Sequence, residues 1–411
     1  MKYGLIGEHL GHSFSKEIHE SISDYIYEIK EIAKESLDSF MKKKDFLGIN
    51  VTIPYKEKVI PYLDYIDESA KLIGAVNTIV NKNGKLYGYN TDFLGLKDLI
   101  IKSKINIKGQ KVAILGNGGT SKTAKAVLEY LGANSIKVTA LNPVGDEISY
   151  DELNLQYNDI NIILNATPVG MYPNNLDTLI DISKFSKLVG IIDVIYNPLH
   201  TKLVMDAKKQ KIKACNGLYM LVAQAVYASA IFKGEVADQT LIDKVYTKIK
   251  KQKQNIVLIG MPSCGKSSIG RMLAKKLNKQ FIDIDKEIEK EIGTSIKTFI
   301  ELSGEESFRN LESQITYKYS KLNNLVISTG GGVIKRPTNI EVLKQNGIII
   351  FIDRPLELLK PTKSRPLTND IEKLKKIYLE RYDIYMNSAD IVVKNDKEFD
   401  ECVYKIHQEV K

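Results

Sequence analysis

The sequence predicts an α/β protein built from parallel sheets, and three observations support this fold class. Short apolar runs such as "KVAILG", "NIILNAT" and "GIIIFID" alternate with helical patterns along nearly the whole chain, as strands joined by covering helices do. Two glycine-rich loops each lie between such a run and a helical pattern. The chain also has 411 residues, more than one ordinary core accommodates, so we expect two or three domains.

The composition is that of a globular enzyme. Apolar residues make up 43% and charged residues 27% of the chain, close to the averages for proteins with a packed core. No leader and no long apolar run is evident, so we expect a cytoplasmic enzyme with no membrane partner. Cys215, Cys264 and Cys402 lie far apart, which favours neither a disulfide framework nor a zinc site.

The net charge of +9 raises the question of nucleic-acid binding. The lysines are scattered, however, and the one dense run, "KVYTKIKKQKQ" at 244–254, lies between candidate domains. We therefore interpret it as part of a solvated linker over 234–254 and expect no nucleic-acid partner. This places one domain in 1–233 and another in 255–411. An oligomer is conceivable, but its state cannot be read from the sequence.

The first glycine-rich loop lies in "VAILGNGGTSKTAKAVL", which begins at residue 112. Gly116 allows a tight turn after the strand. Gly118 and Gly119 let backbone amides approach a pyrophosphate at the start of the following helix. Taken alone, this pattern is typical both of nucleotide binding and of a structural turn between strand and helix.

Polar residues around this loop have ordinary explanations when taken singly, as turn, cap or surface residues. Pro54 predicts a helix after "NVTI" that would place Lys56 in its first turn. There the positive end of the helix would disfavour the ammonium and prepare the amine for proton transfer, with a nearby aspartate to orient it. Lys56 is therefore a candidate for proton transfer.

Seven motifs occur in a fixed order over residues 1–233: "SFS", "NVTIPYK", "GAVNT", "NTD", "NATPVGM", "DVIYNP" and "NGLYMLVAQ". In this combination the segment closely resembles the shikimate dehydrogenase family. The resemblance implies a two-lobed fold, with a substrate lobe over 1–92 and about 217–233 and a Rossmann lobe over about 93–216. It also implies hydride transfer from NADPH to the ring ketone of 3-dehydroshikimate, with Lys56 and Asp92 handling the proton.

The resemblance also implies two sets of binding residues. The substrate would be bound by Ser13, Ser15, Asn50, Thr52, Asn77, Asp92, Tyr196 and Gln224, and the cofactor by Gly116, Gly118, Gly119, Asn142 and Gly217. Independently of the resemblance, Lys122 lies just inside the glycine-rich loop, where it could supply a point charge for a cofactor phosphate but not a planar guanidinium. One departure from the family pattern concerns the cofactor. Leu141 to Pro143 stand where the family usually offers an arginine for the ribose 2′-phosphate, and an acidic residue that would favour NAD is missing there too, so NADPH is expected and NADH is not excluded.

The second glycine-rich loop, "GMPSCGKSS" from Gly260, follows a strand and has the spacing of a P-loop. The residues that would contact ATP are Gly260, Ser263, Cys264, Gly265, Lys266, Ser267 and Ser268. Within this set, Lys266 would reach the outer phosphates and Ser267 would bind Mg²⁺. We interpret Cys264 as a small filler residue rather than a redox group.

Candidate partners of this loop follow in the sequence. Asp283 and Asp285 in "FIDID" alternate along a predicted strand end and would share a face, although an isolated pair of this kind would ordinarily cap a helix. Beside a P-loop, paired carboxylates favour a metal ion and an accepting hydroxyl. The glycines of "ISTGGGV" would let a ligand lie on the backbone. Arg309, Arg365 and Arg381 are lone arginines whose contexts are informative.

Together, the P-loop, "DID", "FRNLE", "TGGGV", "SRPL" and "ERYDIY" resemble the shikimate kinase family over residues 255 to about 395. The fold implied is a parallel sheet like that of nucleoside monophosphate kinases. Asp285 would hold the accepting hydroxyl, Arg309 and Arg381 with Gly331 would clamp a carboxylate, and Glu312 would brace Arg309. Asp283 would act on Mg²⁺. Arg365 would lie in a lid, where it would contact ATP and neutralise the transferring phosphoryl group.

The sequence therefore predicts a bifunctional enzyme that reduces 3-dehydroshikimate with NADPH and then phosphorylates shikimate with ATP and Mg²⁺. Two alternatives stay open at this point. One joins a quinate or shikimate dehydrogenase to another small-molecule P-loop kinase, such as one for gluconate. The other is a non-catalytic sensor of shikimate or nucleotide.

Overall fold

The structure is a computed structural model that describes residues 1–10, 13–155, 158–359 and 370–411. The described chain divides into two compact units, Met1–Lys250 and Lys251–Lys411. Each unit combines helices with sheets that are largely or wholly parallel, so the α/β prediction is confirmed. The predicted Arg365 lies outside the described residues.

The first unit begins with a mixed sheet. Its strands are β1 (Tyr3–Gly7), β2 (Tyr27–Glu31), β3 (Gly48–Val51), β4 (Tyr65–Ile66), β5 (Thr78–Lys82) and β6 (Lys85–Tyr89), in the order β2-β1-β3-β5-β6-β4. Its helices are α1 (Ser15–Ile22), α2 (Leu37–Lys43), α3 (Glu68–Ile73) and α4 (Thr91–Ser103). β5 is antiparallel to both β3 and β6, which differs from the wholly parallel sheet that we expected.

A tight hairpin explains the antiparallel pairing of β5 with β6. Asn83 and Gly84 join β5 to β6 with φ values of 53° and 80°. An Asn-Gly pair readily adopts this left-handed conformation, which matches the twist of a two-residue hairpin. The sequence therefore carried a hairpin signal at this point that outweighs the general pattern of alternating strands and helices.

The second sheet of the first unit is wholly parallel. Its strands are β7 (Lys111–Leu115), β8 (Ser135–Thr139), β9 (Ile162–Asn165), β10 (Gly190–Asp193) and β11 (Lys213–Cys215), in the order β11-β10-β9-β7-β8. Its helices are α5 (Gly119–Tyr130), α6 (Tyr150–Leu155) and α7 (Lys202–Lys209), and helix α8 (Leu218–Lys233) follows β11 in the chain. α8 packs against α1 and α4, and Ile18, Leu96 and Val222 share one core.

The segment predicted to be a solvated linker is mostly helical. Helix α9 (Gln239–Lys253) buries Ile242, Val245 and Ile249 in the core that it shares with α4 and α8. Its lysines occupy the polar positions between these apolar residues. The expectation of a solvated linker is wrong here, because the charge of the lysine run conceals an apolar repeat at helical spacing. This correction concerns the linker, and the domain limits otherwise stay predictions.

The second unit is built on one parallel sheet. Its strands are β12 (Asn255–Ile259), β13 (Gln280–Asp283), β14 (Leu325–Ser328), β15 (Gly347–Asp353) and β16 (Ile391–Lys394), in the order β13-β14-β12-β15-β16. Its helices are α10 (Lys266–Leu277), α11 (Ile284–Ile292), α12 (Ile296–Ser303), α13 (Glu305–Ser320), α14 (Pro337–Asn346), α15 (Ile371–Ser388) and α16 (Phe399–Glu409). Because the strands are parallel, the segments that follow β12, β13 and β14 meet at one edge.

Candidate active sites

The first unit contains a cavity of about 460 Å³ that gathers the residues predicted to bind substrate. Each of them lies on its wall: Ser13, Ser15, Asn50, Thr52, Lys56, Asn77, Asp92, Tyr196 and Gln224. They come from six separate stretches of sequence. Thr120, Met171 and Met220 also line the cavity, and sequence reasoning did not single them out.

Lys56 and Asp92 form an ion pair at this cavity. Lys56 Nζ lies 2.6 Å from Asp92 Oδ2, and the two side chains are 21% and 15% exposed. The predicted helix after Pro54 is absent: residues 52–59 form turns, and a short 3₁₀ helix begins only at Ile60. The helix-dipole explanation for Lys56 is therefore wrong, and the neighbouring carboxylate is the observed influence on this ammonium.

Local hydrogen bonds explain how these two groups meet. The backbone N–H of Val76 donates to the Lys56 carbonyl at 2.8 Å, which fixes the turn beside the strand that follows. At the start of α4, the side chain of Asn90 accepts from the Phe93 N–H and caps the helix. Asp92 is thus not needed as the cap, and its carboxylate is available to Lys56.

A buried hydrogen-bond network orients the two asparagine side chains of the cavity. Tyr27 Oη donates to Asn50 Oδ1 at 2.7 Å, and Asn50 Nδ2 donates to Thr78 Oγ1 at 3.0 Å. Asn77 Nδ2 donates to Thr91 Oγ1 at 3.0 Å, and Asn77 Oδ1 accepts from the Thr91 N–H at 2.7 Å. Every group in this network is almost fully buried, so the amides are held in fixed orientations.

Hydroxyl groups complete the polar wall of the cavity. Ser13 Oγ donates to Ser15 Oγ at 3.0 Å, just where α1 begins. Burial raises the pKa of Tyr196, which keeps its phenol protonated and able to donate. Gln224 lies on α8 and donates to the Leu221 carbonyl at 2.9 Å, which leaves its amide oxygen as an acceptor for the cavity. The site therefore presents neutral donors and acceptors around a single ion pair.

The predicted cofactor residues lie at the carboxyl edge of the second sheet. Gly116 has φ +96°, and a side chain there would meet Thr167 at 2.6 Å, whereas Gly118 and Gly119 face open space at the start of α5. Gly217 lines the cavity, and a Cβ there would meet the Val194 carbonyl at 1.9 Å. Asn142 is exposed. Lys122 Nζ lies 2.6 Å from Glu57 Oε1, so this predicted phosphate ligand is paired with a carboxylate.

The second glycine-rich loop wraps around its own lysine. Gly260, Ser263 and Gly265 all have left-handed φ values, of 147°, 64° and 96°, which turn successive peptide groups inward. Lys266 begins α10 and is buried, and its Nζ donates to the carbonyls of Gly260 and Met261 at 2.9 Å each. Cys264 is fully buried, as expected of a filler residue. A turn of this kind at a helix start is suited to binding an anion.

A second cavity, of about 500 Å³, lies beside this loop. It is lined by the predicted residues Ser267, Asp283, Asp285, Arg309, Glu312, Gly331 and Arg381. Asp283 is the last residue of β13, but Asp285 lies in the first turn of α11 rather than on the strand. The expectation that the two share a strand face is therefore wrong, although both carboxylates face the cavity. Asp283 makes no side-chain cap bond to α11.

Two buried arginines dominate this cavity. Arg309 Nη1 donates to Glu312 Oε2 at 2.7 Å, and Nη2 donates to Glu305 Oε1 at 3.1 Å. Burial opposes the charge on Arg309, but these carboxylates outweigh it and raise its pKa. For Glu312 the effect of burial is the stronger one: it raises the pKa of this carboxyl group, although the nearby Arg309 lowers it. Arg381 Nη1 donates to the Gly331 carbonyl at 2.9 Å.

Two buried polar atoms at this cavity lack a hydrogen-bond partner within the described residues. They are Arg381 Nε, a donor, and Glu312 Oε1, an acceptor. Because such atoms are costly to leave unpaired, they indicate where a polar ligand would bond.

The three glycines after β14 make room for these charged groups. A Cβ at Gly330 would meet Asp285 Oδ1 at 2.5 Å, and one at Gly332 would meet Arg309 Nη1 at 2.2 Å. A Cβ at Gly331 would meet Pro262 at 2.8 Å. The glycines thus leave room for the protein's own side chains, whereas the sequence suggested only that they leave room for a ligand.

No cluster of three or more histidine, cysteine, aspartate or glutamate side chains suited to a metal ion occurs in the described part of the chain. Among those same residues, no helix has the length and apolar character needed to span a bilayer.

Comparison with protein families matches both units. Residues 5–79 match the model described as "Shikimate dehydrogenase substrate binding domain" and residues 262–411 match "Shikimate kinase". A shikimate dehydrogenase (NADP(+)) from Clostridium perfringens is 38% identical over 269 residues, covering 60% of this chain and 98% of the relative.

Two solved structures extend the comparison. A chorismate mutase/shikimate 5-dehydrogenase fusion protein from Clostridium acetobutylicum is 36% identical, with a TM-score of 0.57, covering 61% of this chain and 97% of that one. Shikimate dehydrogenase 1 from Peptoclostridium difficile is 38% identical, with a TM-score of 0.55, covering 61% and 98%.

Proposed function

Because the chain belongs to the shikimate dehydrogenase family in its first unit and carries a shikimate kinase domain in its second, we propose that it catalyses two successive reactions. The first unit reduces 3-dehydroshikimate to shikimate with NADPH. The second unit transfers a phosphoryl group from ATP to a hydroxyl of shikimate. The observation that best supports this proposal is that, in each unit, the proposed substrate residues line one cavity beside a glycine-rich loop.

In the first reaction, Lys56 supplies the proton. When bound, NADPH supplies a hydride to the ring ketone, and the resulting alkoxide takes a proton from the Lys56 ammonium. Asp92, 2.6 Å away, orients this ammonium and stabilises its charge before the transfer. Solvent returns a proton to Lys56 after product release.

The substrate is recognised in this unit by neutral groups. A ring bearing several hydroxyls needs partners that can both donate and accept, and Asn50, Asn77 and the serines provide them. Because the amides are held by buried bonds, an analogue lacking a hydroxyl would leave polar groups unpaired and would bind weakly.

In the second reaction, the P-loop and Lys266 hold the phosphates of ATP, which requires Lys266 to exchange its bonds to loop carbonyls for phosphate oxygens. Asp285 accepts the proton of the attacking hydroxyl. Arg309 and Arg381 bind the carboxylate of shikimate, and Arg381 Nε, which makes no hydrogen bond within the described residues, supports this role. Positioning and positive charge supply most of the catalysis in such transfers.

Mg²⁺ suits the oxygen donors of this cavity. Ser267 and Asp283 offer one hydroxyl and one carboxylate beside the loop, and Ser267 Oγ lies 3.4 Å from Ser328 Oγ. Mg²⁺ typically takes one or two protein oxygens and completes its shell with water and phosphate. When bound, it would neutralise charge on the phosphates, and these two residues would hold it.

Separate replacement of the two lysines tests this proposal. Lys56→Ala should abolish dehydrogenase activity and spare kinase activity, and Lys266→Ala should do the reverse, each by a factor of at least about 10³. Lys58→Ala and Lys275→Ala are matched controls, because both lysines are exposed neighbours of the targets. Quinate and gluconate as substrates would reveal the alternative specificities. Calorimetry that detects no shikimate binding to either unit would refute the proposal.

A further inference from the structure

The loop that follows β8 places a carboxylate against the first glycine-rich turn. Glu147 Oε2 accepts from Asn117 Nδ2 at 2.9 Å and from the Val144 N–H at 3.0 Å. Asn117 lies between Gly116 and Gly118, within the turn itself. The carboxylate is therefore fixed between the turn and the loop.

Backbone hydrogen bonds close the loop that carries Glu147. Ile148 pairs with the end of β8, since its N–H donates to Val138 and its carbonyl accepts from Ala140, each at 2.9 Å. The Gly116 N–H donates to the Thr139 carbonyl at 2.7 Å, which joins the glycine turn to the same strand end. Residues 141–147 thus form a loop that leaves the end of β8 and returns to it beside the glycine turn.

In a dinucleotide-binding unit this place has a defined occupant. The pyrophosphate lies on the glycine turn, and the adenosine ribose lies at the carboxyl end of the second strand, which is β8 here. An acidic side chain at that position accepts a hydrogen bond from the ribose 2′-hydroxyl, whereas a 2′-phosphate would meet it with like charge.

The surroundings supply little positive charge to offset this carboxylate. Residues 141–149, "LNPVGDEIS", contain neither arginine nor lysine. Lys122, the predicted phosphate ligand, is paired with Glu57 at 2.6 Å. A 2′-phosphate would therefore be bound without an evident guanidinium partner in this loop.

We propose that Glu147 determines cofactor selectivity in the first unit by binding the ribose 2′-hydroxyl of NADH and weakening the binding of NADPH. The unit consequently uses both cofactors, with kcat/KM values within about tenfold of each other. This inference rests on the proposed dehydrogenase function, and it assigns to Glu147 a role that the sequence did not suggest.

Glu147→Gln tests the proposal with little change in structure. The glutamine carbonyl can still accept from Asn117 and Val144, so the loop is retained while the charge is removed. We expect kcat/KM for NADPH to rise about tenfold relative to that for NADH. Asp146→Asn removes the exposed carboxylate next in the chain and should leave this ratio within twofold of the original.

Dissociation constants for NADP⁺ and NAD⁺, measured by calorimetry on the full chain, provide a readout that does not require turnover. A tenfold shift of their ratio in Glu147→Gln supports the proposal. An unchanged ratio overturns it, as does an equal shift in Asp146→Asn, which would indicate only general charge. An original chain that binds both dinucleotides but turns over neither would refute the proposed function and leave the selectivity result standing.

Discussion

The two cavities have similar volumes, about 460 and 500 Å³, but they differ sharply in charge. The described lining of the first consists of amides, hydroxyls, apolar groups and the imidazole of His9 around the ion pair of Lys56 and Asp92. The second contains four cationic and four acidic side chains: Lys286, Lys297, Arg309, Arg381, Asp283, Asp285, Glu289 and Glu312. If both accept the same ring, as we propose, they recognise it by different physical means.

The buried carboxylates of the two units show the same contrast. Asp193 in β10 accepts from Asn165, Thr201 and the Ile195 N–H, all neutral donors, and burial raises its pKa to about 6. Glu312 instead lies 2.7 Å from the Arg309 guanidinium. The buried acid of the first unit, Asp193, thus has no cationic partner, whereas the buried acid of the second unit, Glu312, is paired with an arginine.

This difference suggests a division between specificity and charge stabilisation. Neutral hydrogen bonds discriminate hydroxyl patterns, because a missing partner leaves a buried group unpaired. A transferring phosphoryl group needs positive charge nearby, and buried arginines keep their charge at any ordinary pH. Each cavity therefore matches the reaction proposed for it.

Among the variants that probe this contrast, the largest expected effect comes from Arg309→Lys. Lysine keeps the charge, but it cannot bond to Glu312 and Glu305 together, so a nearly buried carboxylate loses its fork-shaped partner. Kinase kcat/KM for shikimate should fall roughly 100-fold, or about 3 kcal/mol. Initial rates at saturating ATP measure this loss, and dehydrogenase activity should be unchanged.

Arg271→Lys is the control for Arg309→Lys. Arg271 lies on α10, is exposed, and has its guanidinium over the ring of Phe281 in β13. The kinase activity of this variant should stay within twofold of the original. Far-UV circular dichroism and ATP binding would show that the second unit is folded in both variants. A loss smaller than threefold in Arg309→Lys would mean that the second cavity does not depend on a planar guanidinium, and the contrast would fail.

An effect of up to the same size is expected on the pH dependence of stability through Asp193. Because its pKa is raised in the folded state, from about 3.8 to about 6, the protonated acid stabilises the fold. This stability is fully present below about pH 3.8 and is lost as the pH rises through about 6, a change of up to about 3 kcal/mol. The unfolding free energy of the original chain minus that of Asp193→Asn should therefore fall across this range.

Asp181→Asn supplies a control of opposite sign. Hydrogen bonds from Ser183 lower the pKa of this exposed helix cap, so its contribution is present above the unfolded pKa and is lost as the pH falls. Hydrogen exchange in urea, followed on the amides of β10, reports the first unit alone. A difference for Asp193→Asn that rises with pH would contradict its assignment as a buried acid without a countercharge.

Local patterns were the part of both sites that the sequence could predict. The P-loop residues are adjacent in sequence, so their spacing alone predicted the strand, the turn and the helix that follows. Lys56 and Asp92 are 36 positions apart, and it was the family resemblance, with its ordered motifs, that paired them. The structure places both at one cavity, while their catalytic roles stay predictions.

Contacts between distant segments were what the sequence could not supply. The helix expected at Pro54 is replaced by turns that bond across to Val76. The loop at Glu147 depends on backbone pairing between Ile148 and β8, and no periodic pattern in the sequence predicts this pairing. Asn83 and Gly84 did carry a local signal, and only the emphasis on alternating strands and helices obscured it.

The smallest expected effect concerns Tyr27, which lies behind the neutral wall of the first cavity. Tyr27→Phe keeps the buried ring but removes the hydroxyl that donates to Asn50 Oδ1 at 2.7 Å. Asn50 would then be less firmly oriented toward substrate, at a cost of about 1 kcal/mol. The KM for shikimate in the oxidation direction should rise roughly fivefold, with kcat and the KM for the nicotinamide cofactor nearly constant.

Tyr25→Phe separates this positioning effect from general damage to the aromatic cluster. Tyr25 Oη contacts His19 Nδ1 at 2.7 Å rather than Asn50, so the same loss of a hydroxyl should leave the KM for shikimate within twofold of the original. An equal rise in both variants would assign the effect to packing. An unchanged KM in Tyr27→Phe would show that Asn50 needs no support, and recognition by preoriented neutral groups would then rest on Asn77 and its bonds to Thr91 alone.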